Sequence, residues 1–275
     1  MSIAISQQQV SQFQADGALL LPGLISMKRV ERLRLAIERD MENPAPCFHG
    51  YEVEGGGRFH GNMRLWESDA DFDDYGRNSA LPEAAATLLG VEPVQLYYDQ
   101  LFVKEAGTDA PTRWHNDQPY WPIRGRPILS FWLALDRVRP ESGALEFVRG
   151  SHQWNQWFQP EPFAVGGTPY PRNPEYVDIP DMDAHRQDYE FLTWDMEPGD
   201  VIAFHALTVH GGPGNRSPGR RRGYTVRYCG PGMTYYAGPG TSPFLADPAL
   251  ADGSAIAGVR YPVVWPGGGG VSAAT

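Results

Sequence analysis

The sequence predicts a mainly β protein, a jelly-roll barrel set behind an N-terminal helical layer. From residue 94 onward, short alternating or apolar stretches follow one another, parted by Pro/Gly turns such as Glu197-Pro198-Gly199-Asp200. Helical spacing is confined to the region before them. With 31 glycines and 25 prolines, the chain also suits a turn-rich β architecture better than a helical bundle.

Residues 6–16 and 27–41 have helical spacing, and in the second Val30, Leu33, Leu35 and Ile37 form an apolar side among charges. Between them, 17–22 reads as a short strand. Residues 42–79, rich in Gly and Asp, read as irregular. A third helix spans about Leu81 to Leu89 and stops at Gly90. Residues 94–104 alternate, which places Val94, Leu96, Tyr98, Gln100, Phe102 and Lys104 on one face. Further strands are expected at about 128–138, 144–148, 190–196, 200–206 and 221–229. The proline-rich stretch of about 155–190 has little periodicity, and a loop that long is expected to be a lid. Residues 1–265 read as a single domain and 266–275 as a flexible tail. The segment 240–265, with Tyr235-Tyr236 before it, is expected to cover a site or form a dimer contact.

At 275 residues the chain can bury a sizeable core, and 20% charged with 41% hydrophobic residues is a globular composition. A net charge of −10 argues against nucleic acid or an anionic membrane as the main partner. Two cysteines, Cys47 and Cys229, are too few for a disulfide framework or a cysteine metal site. The first ten residues lack a signal-peptide pattern, and Ala18 to Ile25, interrupted by Pro22 and Gly23, is too short to span a bilayer. A soluble, cytoplasmic protein is expected.

The chemistry centres on Trp114-His115-Asn116-Asp117 and a distant Val209-His210-Gly211-Gly212. Two histidines and one carboxylate are the facial triad that leaves positions open on non-haem Fe(II). If 115 and 117 lie in extended chain, both side chains share a face, and Asn116 points away and need bind nothing. Zinc hydrolases also use two His and a carboxylate, so the triad alone does not fix the metal. The other histidines, His49, His60, His152, His185 and His205, have no ligand-like context. In a strand over 221–228, Arg221, Gly223, Thr225 and Arg227 share one face. An inward Arg with a hydroxyl on its face suits a carboxylate. Arg216 and Arg220 fit a solvated basic turn.

These motifs, together with Tyr120-Trp121-Pro122, Ser130-Phe131-Trp132-Leu133-Ala134-Leu135-Asp136, Gly143-Ala144-Leu145 and Gly150-Ser151-His152, resemble the phytanoyl-CoA dioxygenase family. The opening Phe13-Gln-Ala-Asp-Gly17 with Leu19 to Gly23 is similar to that family as well. The resemblance implies a double-stranded β-helix, a cupin-like jelly-roll barrel, and an Fe(II)- and 2-oxoglutarate-dependent oxygenase that consumes O2. It implies His115, Asp117 and His210 as iron ligands, Arg221 with Thr225 for the far carboxylate of 2-oxoglutarate, and Gln100 and Trp132 as co-substrate neighbours. Arg222 is the fallback if the strand shifts by one. Related halogenases replace the carboxylate by a small residue, so Asp117 implies hydroxylation of a small-molecule C–H bond, with succinate and CO2 released.

Tyr120, Trp121, Trp157 and Phe158, with Phe163, Tyr170 and Tyr176, are candidate substrate walls, and Arg64 is a candidate for a substrate or co-substrate carboxylate. Glu161, Glu175, Asp178, Asp181, Asp183, Asp188 and Glu190 make the lid acidic. Repulsion from them predicts a neutral or cationic substrate, not an acyl-CoA. Two alternatives are a metal-dependent hydrolase or isomerase on a cupin-like barrel, and a non-catalytic metabolite-binding barrel.

Overall fold

In the computed structural model, which describes residues 5–52, 57–163 and 167–266, the chain opens with a capped helix, α1 (Gln7–Asp16). Its capping box is reciprocal: the Gln9 amide donates to Ser6 Oγ (3.2 Å) and the Ser6 amide to Gln9 Oε1 (2.9 Å). Then come β1 (Ala18–Leu21), α2 (Met27–Glu42), β2 (Tyr51–Glu52), β3 (Arg58–Met63), α3 (Ala70–Asn78) and α4 (Leu81–Leu89). The strands β4 (Val94–Lys104), β5 (Thr112–His115), β6 (Ile123–Arg124), β7 (Ile128–Ala134) and β8 (Glu146–Val148) follow. After a long excursion come β9 (Phe191–Thr193), β10 (Val201–His205), β11 (His210–Gly212), β12 (Arg221–Cys229), β13 (Thr234–Tyr235) and β14 (Val263–Trp265). Most of the expected tail, 267–275, lies outside the described residues.

The large sheet runs β1-β10-β7-β12-β4-β3-β2, with β14 also on β4, and the small one runs β5-β11-β8-β9. This is the mainly β architecture expected, with the helices as a layer on one side. Strand alternation sorts the side chains of the large sheet. Leu129, Phe131 and Leu133 of β7, Val201 and Ala203 of β10, and Tyr224, Val226 and Tyr228 of β12 form one core with Val10, Phe13, Val30, Leu33, Ile37, Phe72 and Leu88 of the helices. The intervening residues, among them Trp132, Ile202, Phe204, Arg221 and Thr225, face the other way and line or surround the cavity between the sheets.

The expected single face of 94–104 is corrected by a β-bulge. β12 pairs Arg227 with Tyr98 but Tyr228 with Leu96, so Tyr97 is the extra residue and parity inverts there. Val94 and Leu96 therefore join the helix-side core with Leu101 and Val103, while Tyr98, Gln100, Phe102 and Lys104 face the cavity. Residues 42–79 are also more regular than expected. β3 hides its period because its buried residues include His60 and Asn62, both hydrogen-bonded to Asp40 (2.8 Å each). α3 is short and acidic, capped by Asp69 Oδ1 accepting from the Asp71 amide. Among the described residues no helix is long and apolar enough to cross a membrane.

His205, at the end of β10, has its pKa pushed down to about 4 by burial and then by the neighbouring His152 ring, 5.4 Å away between centroids. The unfolded chain takes up a proton near pH 6.5 that the folded chain refuses, so stability falls as pH drops from about 6.5 towards 4. This group alone is expected to remove about 1–2 kcal/mol by pH 5. Urea unfolding at pH 7.5 and 5.0 measures the loss, and His205→Gln should shrink the difference by that amount.

Candidate active site

β5 and β11 place His115 directly opposite His210 in antiparallel register. Asp117 is not in extended chain as expected: β5 ends at His115, and Asp117 has φ −70° and ψ −44°, at the start of a 3-10 turn. The turn still brings its carboxylate to the same point. One ligand atom from each of His115, Asp117 and His210 lies within 4.8 Å of the others, and all three residues are buried. Asp117 Oδ1 is 3.4 Å from His115 Nε2 and 3.9 Å from His210 Nε2.

Hydrogen bonds from behind fix each of the three donors. His115 Nδ1–H donates to the Arg113 carbonyl (2.7 Å) and His210 Nδ1–H to the Thr208 carbonyl (3.0 Å). Carbonyls only accept, so each Nε2 lone pair is left free to bind a metal. Asp117 Oδ2 accepts from Ser130 Oγ (3.2 Å) and Arg227 Nη2 (3.4 Å), which leaves Oδ1 for a metal. Burial pushes the carboxyl up in pKa, but Arg227 and the two histidines outweigh it and hold Asp117 below the usual carboxylate range. Burial pushes His210 down to about 3, so its ring is neutral and able to ligate at neutral pH. This donor set fits a single divalent ion.

From the triad a cavity of about 310 Å³ runs along the inner face of β12 and β4. At one end Arg221 is 2% exposed, donates only to the Ser142 and Gly143 carbonyls (3.4 and 3.3 Å), and has no acidic partner among the described residues. Burial lowers its pKa to about 10, so it stays cationic. Thr225 Oγ1, on the same strand face, is buried without a hydrogen-bond partner. A cation and a hydroxyl left unmet in one cavity suit the carboxylate of a ligand. Trp132 lies across Gly223, where a Cβ would stand 2.2 Å from the indole; only glycine admits this packing. Gln100 faces the same space and donates to His49 Nε2 (3.3 Å), whose Nδ1–H donates to the Cys47 carbonyl (3.0 Å).

Arg222, the fallback, points out of the cavity and pairs with Asp136 (2.8 Å) and Glu38 (3.0 Å). Arg220 and Arg216 are likewise paired, with Glu38 and Asp109. Tyr120 and Trp121 line the cavity, and so do Phe163 and Tyr170 of the 155–190 segment. Four other expectations are corrected. Phe158 is buried beside Val148, Met182 and Val209, and Trp157 stacks on Tyr176 with Arg124 4.4 Å from its ring; none of these reaches the cavity. Arg64 is also absent from it, because the left-handed Arg64 pairs with Glu67 (2.5 Å) and holds the carbonyls of Phe244 and Leu245. Those two residues and Ser242 border the cavity, so the C-terminal segment covers the site.

Sequence reasoning passed over three residues. His49 borders the cavity in spite of its plain context. Lys104 is 3% exposed and gives its ammonium to Ala110 O (2.9 Å), Thr112 Oγ1 and Pro213 O (3.2 Å each). Burial and then the charge of Arg221, its register partner, push its pKa well down. Arg227 was placed on the right strand face but given no task. The apolar environment of an isolated Lys or Arg in an alternating strand was the available signal. Asn116 also does more than expected: it donates to the Gln156 carbonyl (2.9 Å) and accepts from the Phe158 amide (3.4 Å). Asn116→Ala should cost about 1–3 kcal/mol and speed proteolytic cleavage near residues 156–163.

The sequence profile of the phytanoyl-CoA dioxygenase (PhyH) family matches residues 13–223. The chain belongs to this family. Like its family, it is a 2-oxoglutarate-dependent non-haem iron dioxygenase that uses Fe(II), 2-oxoglutarate and O2. The PhyH chain is 26% identical over 226 residues to dioxygenase aneA of Aspergillus aculeatus, covering 77% of this chain and 68% of that protein. It is 26% identical over 233 residues to ectoine dioxygenase of Stutzerimonas stutzeri, covering 79% and 74%. Its match to the probable phytanoyl-CoA dioxygenase of Caenorhabditis elegans spans only 37% of that protein. The fold resembles the epimerase SnoN in complex with Fe3+, alpha ketoglutarate and nogalamycin RO, with TM-score 0.74, 21% identity, and 94% and 98% of the two chains covered. The PhyH barrel is thus a double-stranded β-helix. Family membership sets aside the hydrolase or isomerase and non-catalytic alternatives.

Proposed function

We propose that this dioxygenase hydroxylates a C–H bond of a small molecule, releasing succinate and CO2, with His115, Asp117 and His210 holding the iron. The observation that carries this reading is one cavity with the triad on its wall and, at its end, Arg221 without an acidic partner among the described residues. Arg221, assisted by Thr225, takes the far carboxylate of 2-oxoglutarate, while Trp132 and Gln100 flank its chain. Bound iron and 2-oxoglutarate together supply the oxidising equivalents for C–H cleavage. The protein's own part is placement: Arg221 fixes one end of the co-substrate, and Tyr120, Trp121, Phe163 and Tyr170 enclose the substrate and exclude water.

The cavity of about 310 Å³, partly open to solvent, is sized for the co-substrate together with a small molecule or one end of a longer one. The charge reasoning behind a neutral or cationic substrate does not hold. All seven acids of residues 161–190 are exposed, and none borders the cavity. Several pair outward, as Glu161 does with Arg113 and Asp178 with Arg172. Anaerobic addition of Fe(II) and then 2-oxoglutarate tests the reading. A visible chelate band, followed by one succinate per O2 on aeration, is expected; iron bound without that band would sink it.

A further inference from the structure

Arg227 is a second buried cation on the cavity face of β12, and most of its donors are unmet. It is 3% exposed, with its guanidinium carbon 4.3 Å from the centre of the Tyr98 ring and 5.2 Å from that of Trp121. Nη2 reaches Asp117 Oδ2 at 3.4 Å. Nε and Nη1 are buried, and no partner among the described residues accepts from them. Buried donors of a charged group left unmet are costly, because their hydration is lost and nothing replaces it. An acceptor that the polypeptide does not provide would remove that penalty.

The far carboxylate of 2-oxoglutarate is not that acceptor. Arg221 and Arg227 are six residues apart on β12, about 20 Å along a strand that rises about 3.3 Å per residue. The surroundings differ as well. Arg221 stands beside Lys104, whereas Arg227 stands among the aromatic rings of Tyr98 and Trp121 and next to the triad. The charges lining the cavity are also unequal: among the described residues Arg221 and Arg227, with Lys104 beside Arg221, face a single acid, Asp117. Bound iron adds positive charge, and the two carboxylates of the co-substrate do not cancel the excess.

We propose that Arg227 anchors an oxyanion of the primary substrate, which is accordingly an apolar or aromatic small molecule bearing one carboxylate. Its body lies against Tyr98, Trp121, Tyr120 and Phe163. Because Arg227 also touches Asp117, the carboxylate is held beside the metal, and the carbon oxidised lies within a few bonds of it. This inference rests on the dioxygenase reading above and names the substrate class of that same site.

Calorimetry under argon on the full chain loaded with Fe(II) and 2-oxoglutarate tests it. The probes are benzoate, phenylacetate, 3-phenylpropanoate and octanoate, each beside its primary amide. At least one carboxylate should bind about tenfold or more tightly than its amide, a gap of about 1.4 kcal/mol. Arg227→Met should erase that preference, and Arg227→Lys should retain part of it. The proposal is overturned if no carboxylate outbinds its amide in the wild type, including the case in which none binds. It is equally overturned if the preference survives in Arg227→Met. A third contrary outcome is that Arg227→Met weakens 2-oxoglutarate and spares the probes, which would give these donors to the co-substrate. Failure of the dioxygenase reading would look different: the wild type would give no chelate band, whatever tryptophan fluorescence reported of carboxylate binding to the metal-free chain.

Discussion

Replacing Arg221 by methionine is expected to weaken 2-oxoglutarate binding about 100-fold or more while making the cofactor-free protein more stable. The two effects share one cause. In the ligand-free cavity Arg221 is a buried charge with two long hydrogen bonds to carbonyls and no acidic partner among the described residues. Its neighbour in register is the ammonium of Lys104, which repels it. Methionine keeps the apolar contact with Trp132, removes the uncompensated charge and relieves Lys104, which should stabilise the fold by about 1–3 kcal/mol. With co-substrate present the balance reverses, because losing one partner of a buried charge pair costs about 2–5 kcal/mol, and each 1.4 kcal/mol is a factor of ten. Anaerobic titration of the chelate band and urea unfolding of the metal-free protein read the two sides separately. Unchanged 2-oxoglutarate affinity in Arg221→Met would remove Arg221 from the proposed site.

Why the face of Arg221 was legible from the sequence, and that of Val94 and Leu96 was not, follows from what period-2 alternation carries. β12 alternates without interruption from Arg221 to Arg227, so both its faces were assigned correctly. β4 alternates too, but the bulge at Tyr97 inverts its parity, and nothing in Val94-Gln-Leu-Tyr-Tyr-Asp-Gln marks an extra residue. The triad was legible because a His-x-Asp pair is local in the chain and survives the turn that replaces the expected strand. Contacts made between distant segments were not. Arg64 looks like a site residue until Glu67 and the 244–245 carbonyls claim it. The acids of 161–190 look like a cover for the substrate until the fold turns them to solvent. Charge read along a chain gives composition, whereas charge at a cavity depends on which way each side chain points.

Asp117→Ala should abolish turnover and remove metal-linked stabilisation, and the metal-free protein should also lose stability. In the wild type, Asp117 Oδ2 answers Ser130 and Arg227 while Oδ1 faces the two imidazoles. Alanine deletes a metal ligand and at the same time strands Arg227, 3% exposed, without its only anion among the described residues. Breaking a buried pair from one side costs about 3–5 kcal/mol, and the Tyr98 and Trp121 faces against Arg227 should hold the loss near the lower end. Fe(II) added under argon at about 100 times its dissociation constant should stabilise the wild type by about 2.7 kcal/mol, because it binds only the folded state. The variant should show no such increment. A double variant, Asp117→Ala with Arg227→Met, separates the two losses: most of the metal-free stability should return, since Arg227 is no longer left as an unpaired charge, while iron binding should not. If Asp117→Ala kept its iron-dependent gain in stability, the metal would have to sit elsewhere. If the double variant stayed as unstable as the single one, the Arg227 charge would not be the reason for the loss.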